Sequence, residues 1–335
     1  MCNHGKLNNI FGFSMKAIFT VCSNNYLAKA HVLSISVRKH EPESRFFIFL
    51  CDEKDERINY PVLADEVITI GSIEPEFLQL VMKYNIVELN TSVKPRVFEY
   101  LMQERGFDKV IYLDPDIKTY HPLTEVFNEL ESHSIVLTPH ICSPIAFDGK
   151  TPGENMFNNF GIYNLGFIGL SLKPEVKDFI AWWKNHTYKQ CYVDIYNGIF
   201  VDQLPINHAH IFFKNVKVLI NMGLNMGPWN LHERCLESKN SEYIVNKNQP
   251  LIFYHFSSFK PDKMELPLHY YNRYTFSDRP DLHALYNEYN EDLKKANDEY
   301  YKEFQFYYAD EKDAHKRKKK KDKWGDKVKG LFGKS

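Results

Sequence analysis

The chain has 335 residues, 44% of them hydrophobic, and a formal net charge of −1 at pH 7, which suits one large domain with a small appendage. No apolar run approaches the ~20 residues that cross a bilayer, and residues 1–14 lack the apolar core of a signal peptide. The six cysteines are scattered without a C-x-x-C pair, so we expect reduced thiols rather than a disulfide framework or a zinc site.

Strand and helix patterns alternate after a loose leader at 1–14. Short apolar runs predict strands at 16–21, 45–50, 66–70, 109–113, 135–137, 163–170, 216–220 and 251–254. Apolar residues at helical spacing predict helices at 27–38, 74–82, 97–104 and 174–184. This alternation predicts an α/β fold with a mostly parallel sheet flanked by helices. We expect that domain to span 15–270, with a helical C-terminal extension at 271–312 and a basic tail at 313–335.

The run from Lys109 to Ile117 is the most informative motif. Its apolar residues predict a buried strand that ends at Pro115, because proline cannot donate to a sheet ladder. Asp114 and Asp116 therefore follow the carboxyl end of a strand, where open α/β sheets bind ligands. Their oxygens suit a hard divalent cation that also binds substrate phosphate. A plain surface turn is the alternative.

Four further segments carry candidate functional side chains. Asp202 and Gln203 precede a short helical pattern, and Asn164 lies between apolar residues and glycines, where its amide suits sugar hydroxyls. His255 ends an apolar strand and is a candidate metal ligand, and Lys260 is a candidate phosphate partner. Lys94 is placed to neutralise a diphosphate. The alternatives are an N-cap, a structural asparagine, a core histidine and a solvated basic turn.

The order of these segments resembles the GT-A-fold glycosyltransferases, above all the retaining enzymes of glycosyltransferase family 8 and related bacterial polysaccharide and lipopolysaccharide enzymes. The resemblance covers roughly residues 15–262 and implies a Rossmann-like GT-A fold. It matches a nucleotide-binding loop at 20–26, a basic residue upstream of a D-x-D motif, an N-x-G strand, a D-Q-x-x-x-N element and a late histidine motif. The late motif, 255–261, is one residue shorter than the family's and has serine where glycine is usual.

The resemblance implies a metal-dependent enzyme that moves a sugar from a nucleotide-diphosphate donor, with uridine the usual base, and retains configuration. Asp114, Asp116 and His255 would hold Mn²⁺ or Mg²⁺. The nucleotide and its phosphates would bind at Thr20, Val21, Asn25, Tyr26, Lys94 and Lys260. The catalytic set would be Gln203, Asp202 and Asn164. A glycan or lipid-linked acceptor is expected, in surface polysaccharide synthesis.

Two other functions remain open. A sugar nucleotidyltransferase usually begins with a glycine-rich phosphate loop, which residues 20–26 lack. A non-catalytic module that binds a glycan or a partner is the second alternative, and the intact candidate ligand set argues against it.

The segment 227–234 contains Trp229, a candidate sugar platform, and His232, a candidate contact to acceptor or phosphate. A structural corner is the alternative for that segment.

The charge of the C-terminal tail is distinct. Residues 315–335 contain ten Lys or Arg and two Asp, a net +8, so the remaining 314 residues carry −9. Trp324, Val328, Leu331 and Phe332 recur at helical spacing among the lysines, which predicts a basic amphipathic helix on an anionic membrane surface. A disordered tail or a nucleic-acid arm is the alternative, and we expect no nucleic-acid partner. The enzyme is then expected to be cytoplasmic, on the inner face of the membrane.

Overall fold

The structure is a computed structural model that describes residues 14–239, 242–260, 267 and 270–313. The predicted leader before residue 14 and the basic tail after residue 313 lie outside the described residues. The strands are β1 (Lys16–Cys22), β2 (Arg45–Leu50), β3 (Glu66–Thr69), β4 (Lys109–Leu113), β5 (Ile117–Thr119), β6 (Ile135–Leu137), β7 (Phe167–Ser171), β8 (Val193–Asp194), β9 (Ile199–Phe200), β10 (Val216–Val218), β11 (Leu236–Lys239), β12 (Glu242–Val245), β13 (Gln249–Pro250) and β14 (Phe253–His255). The α-helices are α1 (Leu27–His40), α2 (Phe77–Lys83), α3 (Ile86–Ser92), α4 (Lys94–Glu99), α5 (Thr124–Ser132), α6 (Glu154–Phe160), α7 (Pro174–Gln190), α8 (Ala209–Phe212), α9 (His283–Lys295) and α10 (Asp298–Lys302). A π-helical turn, Tyr100–Glu104, continues α4.

A seven-stranded sheet in the order β10-β6-β7-β4-β1-β2-β3 forms the centre of the molecule. Strands β1, β2, β3 and β4 run parallel, as do β6 and β10, whereas β7 is antiparallel to both of its neighbours. The prediction of a mostly parallel sheet flanked by helices is confirmed.

Side chains of the central strands enter apolar layers on both faces of the sheet, because successive residues of a strand point to opposite sides. In β1, Ile18 and Cys22 join one buried cluster, and Ala17, Phe19 and Val21 join the other. A strand buried on both faces reads as the continuous apolar run that the sequence shows.

The C-terminal helices complete the first of these clusters. Tyr286 and Tyr289 of α9 are fully buried in it, and the Tyr289 ring stacks on Phe256 with centroids 3.8 Å apart. Lys118 of β5 forms ion pairs with Glu288 and Asp292 of α9. The helical segment at 280–306 therefore packs against β5 and against Phe256, which directly follows β14.

Strand β7 starts four residues later than predicted. Before it, the Leu165 and Gly166 N–H groups donate to side-chain oxygens of Gln203 and Asn164 rather than to a neighbouring strand. The apolar pattern alone does not distinguish this loop from the strand that follows. Within the described part of the chain, none of the helices has the length and apolar character of a membrane span, and the five cysteines there are free thiols.

Candidate active site

The D-x-D motif lies at the carboxyl end of β4, as predicted. The Asp114 N–H donates to Gly166 O over 2.8 Å, and the Ile117 N–H closes the turn on Asp114 O over 3.0 Å. After this turn the chain enters β5, which pairs antiparallel with β14 so that Ile117 lies opposite His255. The two-stranded ribbon thereby brings His255 beside both aspartates, although more than a hundred residues separate them in sequence.

Asp114, Asp116 and His255 form a compact cluster in which one ligand atom from each residue lies within 4.8 Å of the others. His255 Nε2 is 3.0 Å from Asp116 Oδ1 and 3.6 Å from Asp114 Oδ2. Burial disfavours the charged form of Asp116, but the His255 imidazole overcomes this effect and holds the Asp116 pKa at about 2. Two carboxylates and an imidazole are ligands that Mn²⁺ or Mg²⁺ accepts, so the residues fit a divalent cation.

Gly166 leaves space for the His255 ring. A Cβ built on Gly166 would lie 2.4 Å from His255 Cε1 and 2.6 Å from His255 Nδ1, far inside an ordinary contact. The glycine of the N-x-G motif is therefore a close-approach position, where only glycine allows the imidazole to lie against the backbone.

Lys94 is buried behind the carboxylates. Its Nζ lies 3.0 Å from Asp202 Oδ2 and 3.6 Å from Asp114 Oδ1, and it donates to Leu165 O over 2.9 Å. Burial raises the pKa of Asp202 to about 6, with the Lys94 charge acting in the opposite direction. The alternative of a solvated basic turn is wrong, since α4 begins at Lys94 and its side chain is 3% exposed. The N-cap alternative for Asp202 also fails, because its carboxylate pairs with this lysine.

Gln203 and Asn164 are held in place through their amide groups. Gln203 Oε1 accepts from the Leu165 N–H over 2.8 Å, and Gln203 Nε2 donates to Phe160 O over 2.7 Å. Asn164 Oδ1 accepts from the Gly166 N–H over 3.0 Å. Gln203 Oε1 keeps a second lone pair, so this side chain can still accept from a ligand, whereas Asn164 Oδ1 also accepts from Asn225 Nδ2.

A neutral polar network continues from Asn164 along one wall of the site. Asn164 Nδ2 donates to His140 Nε2 over 3.1 Å, and Asn225 Nδ2 donates to Asn164 Oδ1 over 3.2 Å. Asn230 Nδ2 donates to the backbone carbonyls of His140 and Asn225. Burial lowers the pKa of His140 to about 3, so this imidazole is neutral at pH 7. His140 could not be predicted as a site residue, because a single histidine after a short strand has no motif around it.

One cavity of about 590 Å³ is lined by the cluster of candidate metal ligands and by Lys94, Asp202, Gln203, Asn164 and His140. Of the predicted nucleotide residues, Val21, Asn25 and Tyr26 line it together with Lys94. Thr20 is fully buried in β1, and Lys260 is exposed to solvent. Neither residue is among those that line the cavity. Helix α3 was not predicted from the sequence. Its apolar residues Ile86 and Val87 line the same cavity. A second cavity of about 680 Å³ lies between α1, β5 and α9 and contains none of the predicted site residues.

The segment 227–234 divides into two parts. Trp229 lines the cavity, with its ring edge-to-face against His255 at a centroid distance of 5.1 Å. His232 does not line the cavity; its Nε2 lies 3.1 Å from Ser143 O. The next residue, Glu233, accepts from the Cys142 N–H and Ser143 Oγ. These contacts agree with a structural corner at His232, and its contact to acceptor or phosphate stays a prediction.

Comparisons with known proteins agree with this architecture. No family model matches the chain. Two proteins of Bacillus subtilis strain 168, YfnF and YfnD, are 25% and 24% identical to it over 276 and 287 residues, covering 81% and 84% of this chain and 90% and 89% of theirs. Both are uncharacterized proteins by name. The galactosyltransferase LgtC, solved in complex with donor and acceptor sugar analogs, superposes with a TM-score of 0.50 and 17% identity, over 84% of this chain and 96% of that one.

The likeness to LgtC extends over 84% of this chain, so the chain has the GT-A fold of glycosyltransferases, as its motifs predict. At this level of identity the likeness describes the fold and leaves the activity to be argued from the site.

Proposed function

We propose that this protein is a metal-dependent glycosyltransferase that moves a sugar from a nucleotide-diphosphate donor, with uridine as the base, to a glycan or lipid-linked acceptor. The observation that carries the proposal is the cluster of Asp114, Asp116 and His255 at the carboxyl end of β4, inside a cavity of a GT-A fold. Open α/β sheets bind ligands at this edge.

The three ligands fit Mn²⁺ or Mg²⁺. When bound there, such an ion acts as a Lewis acid that offsets the negative charge of a leaving diphosphate. Lys94 lines the cavity, and its ammonium group already contacts oxygens of Asp202, Asp114 and Leu165. Its role in this proposal is to keep Asp114 and Asp202 in position and to balance their charge. The contact of Lys94 to the donor phosphates stays a prediction.

Gln203, Asp202 and Asn164 form the catalytic wall in this proposal. The Gln203 amide is fixed by two backbone groups, so its free lone pair is oriented before the substrate binds. Such an oxygen suits stabilisation of positive charge on the sugar ring better than attack on it, because an amide is a weak nucleophile. A front-face reaction with retention of configuration follows from this reading and from the resemblance to family 8.

A thermal-shift screen tests the proposal. UDP-, GDP- and TDP-sugars are each added with Mn²⁺ and with EDTA, since a ligand that binds only the folded state raises its apparent stability. We expect a shift that requires both Mn²⁺ and a UDP-sugar, accompanied by slow metal-dependent hydrolysis of that sugar. The Asp116→Ala variant is the control and should lose both responses.

The same screen separates the alternatives. A sugar nucleotidyltransferase would bind a nucleoside triphosphate with a sugar phosphate and release pyrophosphate. A non-catalytic module would show no hydrolysis with any donor. If no nucleotide-sugar shifts the unfolding temperature with Mn²⁺, the glycosyltransferase proposal is wrong.

The lysine-rich tail supports a second part of the proposal, attachment to the inner face of the cytoplasmic membrane. Each basic residue near an anionic surface contributes on the order of 1 kcal/mol. We expect the full chain to sediment with anionic vesicles and a variant lacking residues 314–335 to stay in solution. Equal sedimentation of both proteins would contradict membrane binding through the tail.

A further inference from the structure

Charge is unequally divided within the cavity. One side holds Asp114, Asp116, His255, Lys94 and Asp202, which are ionisable groups in contact with one another. Beside them lies the network of uncharged amides around His140, together with the Trp229 ring, which packs on His255. A nucleotide-sugar has the same division, since its diphosphate is charged and its hexose is commonly neutral.

The tautomer of His140 follows from its hydrogen bonds. The Gly166 N–H fixes Asn164 Oδ1, so the Asn164 NH₂ group faces His140 Nε2. That nitrogen must accept, and in a neutral imidazole the proton then lies on Nδ1. His140 thus presents no charge to the cavity and acts by orienting Asn164.

Besides the His140 Nδ1–H, the Trp229 indole is a donor in this wall that has no acceptor among the described residues. Its side chain is 4% exposed, lines the cavity and packs edge-to-face on both His255 and His140, yet its Nε1–H makes no hydrogen bond there. The ring lies directly against the backbone of Gly227, so closely that a Cβ at this position would be 2.6 Å from the indole. A buried donor without a partner is costly, which makes a ligand oxygen a favourable partner.

From this arrangement we propose that the donor carries a neutral sugar and that Trp229 is a specificity-determining residue whose indole N–H donates to an oxygen of that sugar. The inference rests on the proposed function and specifies its substrate class. Among the described residues that line the cavity, Lys94 is the only lysine or arginine, and Asp202 and Asp114 already pair with it. A sugar carboxylate at the uncharged wall would meet no unpaired cation among the described residues, which disfavours a uronic acid.

Isothermal titration calorimetry with Mn²⁺ tests this proposal on the full chain. The probes are UDP, UDP-glucose and UDP-galactose, with UDP-glucuronic and UDP-galacturonic acid as matched acids that differ only at C6. We expect one neutral sugar to bind at least about a hundredfold tighter than its acid. Trp229→Phe keeps a six-membered aromatic ring but loses the pyrrole ring with its N–H, so it should bind that neutral UDP-sugar about five- to tenfold more weakly and bind UDP unchanged.

Trp182→Phe, the same change on α7 outside the cavity, is the control and should match the wild type. The inference is overturned if each neutral UDP-sugar and its acid bind with equal affinity, or if Trp229→Phe weakens the binding of UDP and of the UDP-sugar by the same factor. In either case, UDP binding by the wild type would still uphold the proposed function. Absence of wild-type binding to UDP and to all four UDP-sugars would overturn both.

Discussion

The Gly166→Ala variant tests how tightly the fold holds the metal ligands. The added Cβ would lie 2.4 Å from His255 Cε1, so the ring must retreat by about 1 Å to reach an ordinary contact of 3.4 Å. Gly166 itself is fixed, because its carbonyl accepts from the Asp114 N–H and its N–H donates to Asn164. Metal–ligand distances are held to about 0.2 Å, so a displacement of this size separates His255 from the ion.

We expect Gly166→Ala to bind Mn²⁺ at least about ten- to a hundredfold more weakly than the wild type. Overpacking should also lower the free energy of unfolding by about 1–3 kcal/mol. The assay is titration of Mn²⁺ followed by the electron paramagnetic resonance signal of the free ion, with circular dichroism to verify folding.

Gly169→Ala, three residues further along the chain in β7, is the matched control. Its Cβ would meet Leu130 Cδ1 at 3.3 Å and Val126 Cγ1 at 3.5 Å, away from the cluster and against side chains that can adjust. This variant should bind Mn²⁺ as the wild type does. If folded Gly166→Ala also binds Mn²⁺ with wild-type affinity, the assignment of His255 as a ligand is refuted.

Three further predictions concern the charged side of the site. Lys94→Met leaves two carboxylates without their cation and should lower the free energy of unfolding by about 3–5 kcal/mol in urea titrations, with partial recovery when Asp202→Asn is added. An equal loss in the double variant would contradict this coupling. The Asp202 pKa is about 6 against an ordinary 3.8, so the native state retains a proton between pH 4 and 6 that the unfolded chain releases. The group therefore makes stability fall as pH rises through that window, and Asp202→Asn should lose this slope, whereas an unchanged slope would refute it. Asp116→Ala should reduce hydrolysis of the donor to the rate seen in EDTA, and a wild-type rate would remove Asp116 from the site.

The sequence was sufficient for the parts of the fold where burial on both faces leaves a continuous apolar run. Strand β2 occupies 45–50 as predicted, and β4 ends before Asp114 because Pro115 cannot continue the ladder. Strand identity does not give strand order, so the position of β7 between β6 and β4 emerged only from the structure.

Within the site, ordered motifs were predictable and tertiary contacts were not. The cluster of Asp114, Asp116 and His255 was predictable because each of these residues belongs to a short local sequence motif. His140 and the buried environment of Lys94 depend on loops that meet from distant parts of the chain, where no local pattern exists. Helix α3 was missed because its seven residues include Asn90, Thr91 and Ser92, which are weak helix formers, although Asn85 and Glu88 form a capping box at its start.

The most direct test of the central claim is calorimetric titration of UDP into the wild type and His255→Ala, each in Mn²⁺ and in EDTA. If the three ligands hold an ion that also contacts the diphosphate, Mn²⁺ and UDP must strengthen each other's binding by the same factor. We expect UDP to bind the wild type at least tenfold more tightly in Mn²⁺ than in EDTA, a difference of about 1.4 kcal/mol. His255→Ala should show no such gain. Wild-type UDP affinity that is equal in Mn²⁺ and EDTA would contradict it.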